Sequence, residues 1–243
     1  MSIIKLSAIG STNSYLRALC AKKELDDYTV VVTENQTQGR GQMATEWCSQ
    51  PAKNLTFSVY KDTSGFQIEH PFYISIVVSL TLLRTLRFFS IPKLSVKWPN
   101  DILSENSKVC GILIENAVRQ NKMNSSIIGI GLNVNQTEFK NLPKASSLKI
   151  ITGVVYNLDE IITIILSHLR HYFDMLIAGQ YAELKEEYDA YLFRKNKPST
   201  FQDAEGRVFS GFINNVCDSG NLQILLEDDV LKEYTIKEIT LLY

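Results

Sequence analysis

The chain has 243 residues, of which 45% are hydrophobic and 21% are charged, as in a folded globular protein rather than a disordered chain or a membrane bundle. Lys and Arg number 25 and Asp and Glu 26, so the formal net charge of −1 gives no indication of a nucleic-acid partner. The longest strongly apolar stretch, residues 72–83, is shorter than the ~18 residues of a membrane span, so we expect no membrane partner.

The N-terminal segment lacks the basic and then apolar layout of a signal peptide, so we expect a cytoplasmic protein. The 4 cysteines are scattered without a CxxC pair, which predicts reduced, mostly buried thiols. His168 and His171 have helical i, i+3 spacing, but no acidic or sulfur ligand accompanies them. We therefore interpret them as a solvated helix face and expect no resident metal site.

The first part of the chain alternates strand and helix patterns. Strands are predicted at 2–9, 28–34 and 54–60, where β-branched and apolar residues dominate. A helix is predicted after the first strand, with Ser11 or Thr12 as its N-cap. A polar, glycine-bearing loop follows the second strand.

The middle of the chain predicts a buried helix at 71–89, which opens with a proline and has apolar residues at helical spacing. Three strands at 94–103, 108–118 and 126–134 follow, joined by polar turns, which predicts a β-meander. The clearest helix is 157–178, and its helical pattern continues to about residue 193.

A polar, proline-bearing joint at 195–199 separates this part from a segment of short strands and turns. The sequence therefore predicts two domains, an α+β domain at 1–195 and a small β-barrel-like domain at 196–243.

Three stretches concentrate residues suited to chemistry. The first runs from Gln36 to Trp47, where Gly39 and Gly41 flank Arg40. Glycines on both sides of an arginine let the backbone turn tightly and present N–H groups and a guanidinium to an anion. On spacing alone, a plain flexible loop is an equally good interpretation.

The second stretch is the KWPND sequence, followed by a further lysine in the next strand. With 104–107 as the hairpin loop, Asp101 pairs with Cys110, and Lys97, Asp101 and Lys108 project from one face of the sheet. Lysine is rarely buried without a partner or ligand, so this cluster indicates a site more strongly than a solvated sheet face.

The third stretch, GIGLNVN at 129–135, places glycines at i, i+2 inside a strand beside amide side chains. Such glycines mark either close approach of a ligand or backbone, or a bulge.

Together these residues resemble one known family. The order STN (11–13), Q-x-x-GRG with a later tryptophan (36–47), KWPND followed by K-x-x-GILIE (97–115) and IGIGLNVN (128–135) is similar to that of biotin protein ligases. The resemblance continues to the C-terminus, where residues 211–241 are similar to the SH3-like module of that family. It implies an α+β fold with a mixed-sheet catalytic domain of the class II synthetase and biotin/lipoate ligase type, followed by a small SH3-like β-barrel.

The resemblance also implies an activity. Such enzymes convert biotin and MgATP into biotinoyl-5′-AMP and pyrophosphate, and then transfer biotin to a lysine of a biotin carboxyl carrier protein or the biotinyl domain of a carboxylase. Many relatives begin with a DNA-binding winged helix, whereas this chain starts at the catalytic domain. We therefore expect a monofunctional ligase that binds no nucleic acid, and a homodimer remains open.

Residue roles follow from the resemblance. The catalytic residues would be Lys108, Arg40 and Asp101. The biotin-binding residues would be Ser11, Thr12, Asn13, Gln36, Gly39, Arg40, Trp47, Lys108 and Gly111. The ATP-binding residues would be Arg40, Gln42, Lys97, Asn100, Lys108 and Asn133, with Mg²⁺ arriving on the nucleotide.

One departure concerns the glycine loop, which commonly carries further basic residues in the family but continues here with Gln42.

Two other functions compete with the ligase. A lipoate protein ligase shares the fold and chemistry, but the arginine- and glycine-rich lipoate motif is missing. A sensor of biotin or its adenylate would bind without turnover, yet both lysines and Asp101 are retained.

Overall fold

The computed structural model describes residues 2–66, 70–119 and 122–243. Within them, the first sheet has seven strands, β1 (Ile3–Ile9), β2 (Thr29–Gln36), β3 (Leu55–Asp62), β4 (Leu94–Lys97), β5 (Asp101–Ser104), β6 (Ser107–Arg119) and β7 (Lys122–Leu132). Their order is β1-β2-β3-β7-β6-β5-β4, in which β1 and β2 are parallel and all other neighbours antiparallel. The sheet is therefore mixed, and β4 to β7 form the predicted meander.

The same part of the chain holds five α-helices, α1 (Thr12–Cys20), α2 (Phe72–Phe88), α3 (Leu148–Thr152), α4 (Leu158–Ile177) and α5 (Tyr181–Ala190). Ser11 caps α1 by accepting a bond from the backbone N–H of Ser14, and Asn157 caps α4 by accepting from two N–H groups. No helix in the described ranges is long and apolar enough to cross a bilayer.

The helices cover both faces of the first sheet. Consecutive residues of a strand point to opposite faces, and Val31 packs with Leu16 of α1 while Val30 joins the main core. That core also takes in the buried faces of α2 and α4. The sheet is thus a layer between α1 on one side and the α2–α4 pair on the other.

The C-terminal residues form a second, fully antiparallel sheet of five strands, β8 (Pro198–Asp203), β9 (Val208–Val216), β10 (Leu222–Leu225), β11 (Leu231–Tyr234) and β12 (Ile239–Leu242). Their order is β11-β10-β9-β8-β12. Apolar residues of this second sheet, including Ile213 and Leu222, belong to the same core cluster as the buried residues of α2 and α4. The α+β class is confirmed, while the division at 195/196 stays a prediction.

The predicted strand at 94–103 is wrong, since the chain turns at residues 98–100 and forms β4 and β5. Lys97 therefore pairs with Asp101 within this tight hairpin. The predicted pairing of Asp101 with Cys110 is also wrong, because a register shift between Ile102 and Leu103 places Asp101 opposite Gly111. Residues 120–121, in the turn predicted between the last two strands of the meander, lie outside the described residues.

All four cysteines are free, as predicted, but only Cys110 is fully buried. Cys20 and Cys217 are half-buried and Cys48 is exposed, so the expectation of mostly buried thiols is wrong. Burial raises the pKa of the Cys110 thiol far above its ordinary value, which keeps it protonated.

Candidate functional site

A cavity of about 370 Å³ is lined by residues from both sheets and from the glycine loop. Its volume lies within the range of about 300–1,000 Å³ typical of small-molecule sites. Twelve of the residues predicted from the sequence line it, namely Ser11, Thr12, Asn13, Gln36, Arg40, Gln42, Trp47, Lys97, Asn100, Asp101, Lys108 and Gly111. The fold therefore brings the three motifs together around one cavity.

A buried polar network lies where β1 ends and α1 begins. The Gln36 Oε1 atom accepts from the backbone N–H of Thr12 at 2.9 Å and from its hydroxyl at 3.2 Å. The Ser58 hydroxyl lies 2.7 Å from Thr12 Oγ1 and 2.5 Å from Asn13 Oδ1. These bonds fix the STN turn and Gln36 in one arrangement, which prepares the polar surface before any ligand binds.

Glu115 on β6 links this network to the glycine loop. Its Oε2 atom accepts from Asn13 Nδ2 at 2.8 Å, and its Oε1 atom pairs with Arg17 and lies 3.5 Å from Arg40 Nη2. Arg40 also donates to Ser14 Oγ at 3.1 Å. The guanidinium of the loop is thereby held at the rim of the cavity by a carboxylate and a hydroxyl.

The β4–β5–β6 hairpins place two lysines around one carboxylate. Lys108 Nζ lies 2.6 Å from Asp101 Oδ1, and Lys97 Nζ lies 3.9 Å from Asp101 Oδ2. The three side chains are largely buried, with exposed fractions of 33% for Lys108, 19% for Lys97 and 13% for Asp101. A single carboxylate does not neutralise two lysines, so this end of the cavity favours an anion.

Burial lowers the pKa of Lys97, because a desolvated ammonium is disfavoured. Asp101 opposes this shift, while the charges of Lys108 and Lys144 add to it. The three ammonium groups thus raise one another's electrostatic energy, as expected where a site is prepared for a polyanion.

The glycines of β6 and β7 make room for two side chains of the chain itself. Gly111 and Gly131 pair across the strands, and a Cβ added at Gly131 would lie 2.4 Å from the Trp47 ring. A Cβ added at Gly129 would lie 2.4 Å from Asn13 Oδ1. The glycines therefore allow the indole and the amide to lie against the sheet, and Lys108 Nζ lies 5.7 Å from the indole centroid.

Asn100 lines the cavity while its side chain holds the hairpin. Its Nδ2 atom donates to the Ile112 carbonyl at 2.8 Å, and the Ile112 N–H donates to the Asn100 carbonyl at 3.0 Å. Trp98, two residues before Asn100, donates from Nε1 to the Gly220 carbonyl at 2.9 Å. The KWPND turn is therefore fixed both to β6 and to the turn between β9 and β10.

Two predicted residues do not line the cavity. Gly39 lies at the base of the glycine loop, where a Cβ would meet the Trp47 carbonyl at 2.1 Å, so it permits the loop to close on itself. Asn133 is buried and donates from Nδ2 to the Ser146 carbonyl at 3.0 Å. In this arrangement Asn133 holds the segment before α3 instead of facing the cavity.

Two features of the site escaped the sequence analysis. Apolar residues of the second sheet form part of the wall, including Ile213, Leu222 and Ile239. Lys144 and Tyr243 approach the lysine cluster, with Lys144 Nζ 3.9 Å and Lys97 Nζ 5.3 Å from the Tyr243 ring centroid. The alternation of apolar and polar residues in the C-terminal strands indicated a buried face but not its place in the cavity wall. No local sequence pattern indicates a role for Lys144.

The described residues include no group of three or more His, Cys, Asp or Glu side chains placed to hold a metal ion. In the lysine cluster, both oxygens of Asp101 face ammonium groups. The site thus offers a polar network, a cationic cluster and an apolar wall around one cavity. Such a site suits an amphipathic carboxylic acid beside a phosphate-bearing molecule, whose anions the lysines and the guanidinium would hold together.

Comparisons with known proteins agree with this chemistry. The chain is 26% identical over 240 residues to the bifunctional ligase/repressor BirA of Bacillus spizizenii, covering 96% of this chain and 72% of that protein. It is 31% identical over 142 residues to the biotin–[acetyl-CoA-carboxylase] ligase of Mycobacterium tuberculosis, covering 57% of this chain and 52% of that protein.

A solved structure is similar over nearly the whole length. The biotin protein ligase from Aquifex aeolicus in complex with biotin and ATP matches with a TM-score of 0.83 and 25% identity, covering 99% of this chain and 98% of that one. Residues 6–133 match the sequence profile of the biotin/lipoate A/B protein ligase family. Because this match spans more than half of the chain, the protein belongs to the biotin/lipoate A/B protein ligase family.

Proposed function

We propose that the protein is an ATP-dependent biotin protein ligase. The observation that carries the proposal is the joining of the Lys97–Asp101–Lys108 cluster and the STN–Gln36 network in one cavity. The similar Aquifex aeolicus enzyme was solved with biotin and ATP, the two ligands that these two ends would suit.

The first half-reaction joins two anions. A carboxylate oxygen of biotin attacks the α-phosphorus of ATP, the bond from phosphorus to the bridging oxygen breaks, and pyrophosphate leaves with the electron pair. Repulsion between the carboxylate and the phosphates is the main obstacle, so positive charge and fixed orientation supply the catalysis. Lys108 is the residue best placed for this role, because it combines a strand position with partial exposure to the cavity.

The remaining residues position the reactants. Thr12, Asn13 and Gln36 present hydrogen-bonding groups suited to the ureido ring of biotin. The Trp47 ring lies against the glycines of β6 and β7, where it would contact the aliphatic chain of biotin. Asp101 orients Lys108 and Lys97. A Mg²⁺ ion would be held by the phosphates of ATP, where it would offset part of their charge. Arg40, released from Glu115, closes the glycine loop over both ligands.

In the second half-reaction, the neutral ε-amine of an acceptor lysine attacks the acyl carbon of biotinoyl-AMP. An amide forms, AMP leaves, and the surplus proton passes to solvent. We propose that the acceptor is a biotin carboxyl carrier protein or the biotinyl domain of a carboxylase, in the cytoplasm. The second sheet, which we propose to be an SH3-like domain at 196–243, supplies the apolar wall and a surface beside the site.

A labelling experiment tests this function. The protein is incubated with ATP, a biotinyl carrier domain and either labelled biotin or labelled lipoate. We expect labelling of the carrier that requires ATP and occurs with biotin but not with lipoate. Labelling with lipoate instead would identify a lipoate ligase, and binding of biotin without labelling would identify a sensor.

A further inference from the structure

Lys144 lies on a segment whose backbone is fixed to the backbone of Lys108. The Lys108 N–H donates to the Lys144 carbonyl at 2.7 Å, and the Ser146 N–H donates to the Lys108 carbonyl at 3.0 Å. The segment therefore pairs with the start of β6 at the residue that we assign to the reacting phosphate. This places the backbone of Lys144 beside the cationic end of the site.

The ammonium of Lys144 rests on an aromatic ring rather than on a carboxylate. Its Nζ atom lies 3.9 Å from the centroid of Tyr243, whose ring is 5.3 Å from Lys97 Nζ on the cavity wall. The two ammonium groups are therefore within about one Debye length, ~10 Å, of each other. Among the described residues no ion pair of Lys144 is found, and the residue is exposed. A cation–π contact at an exposed site is weak enough to be exchanged for a phosphate.

The rest of the site leaves a place for another cation. In the glycine loop the residue after Gly41 is the neutral Gln42, and Arg40 is held by Ser14 and Glu115. Lys108 and Lys97 share Asp101. Even with Mg²⁺ on its phosphates, ATP together with biotin carries more negative charge than Arg40, Lys97 and Lys108 can neutralise once Asp101 is counted.

We propose that Lys144 binds the outer phosphates of ATP, the group that leaves as pyrophosphate, and that Tyr243 holds its ammonium when no nucleotide is bound. This inference rests on the proposed function, because it concerns the nucleotide of the same site. Lys144 would thereby supply charge that the glycine loop of this chain lacks.

The test compares Lys144→Met with Lys140→Met, which removes an exposed lysine from the same segment. We expect Lys144→Met to raise the KM for ATP and the inhibition constant of pyrophosphate by about tenfold, as for loss of one charge-assisted hydrogen bond. The KM for biotin should stay within about twofold of wild type, Lys144→Arg should restore the KM for ATP, and the effect should shrink at high salt. Lys140→Met should behave as wild type.

An ATP KM in Lys144→Met within twofold of wild type would overturn the inference and leave the ligase activity in place. If the wild type labels no carrier, the proposed function fails, and pyrophosphate binding is then measured by calorimetry on wild type and Lys144→Met. Equal affinity in that measurement would overturn the inference as well. A KM for biotin that rises as much as that for ATP would assign Lys144 a structural role.

Discussion

Lys108 on β6 and Asp101 on β5 face each other across neighbouring strands, with Nζ 2.6 Å from Oδ1. A register shift between Ile102 and Leu103 sets Lys108 opposite Leu103 and Asp101 opposite Gly111. The glycine opposite Asp101 leaves room for the lysine side chain, since a Cβ at Gly111 would lie 3.3 Å from Lys108 Cε. The carboxylate thus holds the lysine at the cavity before substrates bind.

The first prediction concerns Lys108→Gln. The variant keeps a polar side chain of similar length but removes the charge directed at the reacting phosphate, so adenylate formation should fall by roughly 10²–10³-fold. Pyrophosphate release measures the rate, and circular dichroism checks the fold. Release at the wild-type rate from a folded variant would exclude Lys108 from the reaction.

The second prediction concerns the alkaline limb of the pH profile. Burial lowers the pKa of Lys97, and Asp101 partly offsets this. Asp101→Asn removes the offsetting charge, so the ammonium should lose its proton at lower pH and the fall of kcat/KM for ATP should move to lower pH. Asp159→Asn, which removes the exposed partner of Lys5, is the control and should leave the profile unchanged. An alkaline limb unmoved in Asp101→Asn would show that Lys97 does not govern it.

The sequence predicted this cluster although it mispredicted the path of the chain. Alternation along 94–103 is compatible with one strand, and a register shift leaves no mark on a pattern with a period of two residues. The lysines and Asp101 still meet, because a hairpin at 98–100 and a shifted register both keep them on the same side of the sheet. The residue types of the motif therefore predicted the cluster better than the strand geometry inferred from them.

Contacts between segments that are distant in the chain could not be predicted from the sequence. Asn133 holds Ser146, and Lys144 reaches Tyr243, across separations that no local pattern encodes. The glycines of β7 were recognised as places of close approach, but whether a ligand or a side chain approaches was open. The occupants are Asn13 and Trp47, each contributed by another motif.

The third prediction concerns Glu115→Gln. This change keeps the shape of the side chain and removes the charge that holds Asn13, Arg17 and Arg40. Because Asn13 is then less firmly oriented, the KM for biotin should rise by roughly 5- to 30-fold, which corresponds to about 1–2 kcal/mol. Arg17→Gln is the matched control, since Arg17 shares the carboxylate but does not line the cavity. If both variants raise the KM for biotin equally, the Arg17–Glu115 ion pair and not the contact of Glu115 with Asn13 supports biotin binding.

The fourth prediction concerns Gly131→Ala. The new Cβ would lie 2.4 Å from the Trp47 ring, so the indole must leave the sheet and the KM for biotin should rise by at least about tenfold, at a cost of about 1–3 kcal/mol in packing. Gly65→Ala, with nothing within 4 Å of the new Cβ, should be neutral. Trp fluorescence reports the displaced ring. Unchanged fluorescence and biotin affinity in Gly131→Ala would show that Trp47 does not depend on this glycine.

The last prediction concerns Gln42→Arg in the glycine loop. Biotinoyl-AMP is useful only while water and stray amines are excluded, and a closed loop is stabilised by charge-assisted bonds to the phosphate. Gln42 lines the cavity, and its neutral bonds are roughly half as strong as those of a guanidinium. An arginine at this position should therefore keep the loop closed longer and reduce the escape of the adenylate.

Escape of the adenylate is measured as biotin appearing on the lysines of a bystander protein that lacks a carrier domain, at matched rates of adenylate synthesis. Gln42→Arg should lower this labelling, and Gln42→Met, which removes the polar group, should raise it or leave it unchanged. Equal labelling by wild type and Gln42→Arg would assign retention to Lys108 and the backbone N–H groups. In Lys144→Met, addition of Gln42→Arg should also recover part of the lost ATP affinity, because both side chains direct a positive charge at the same phosphates.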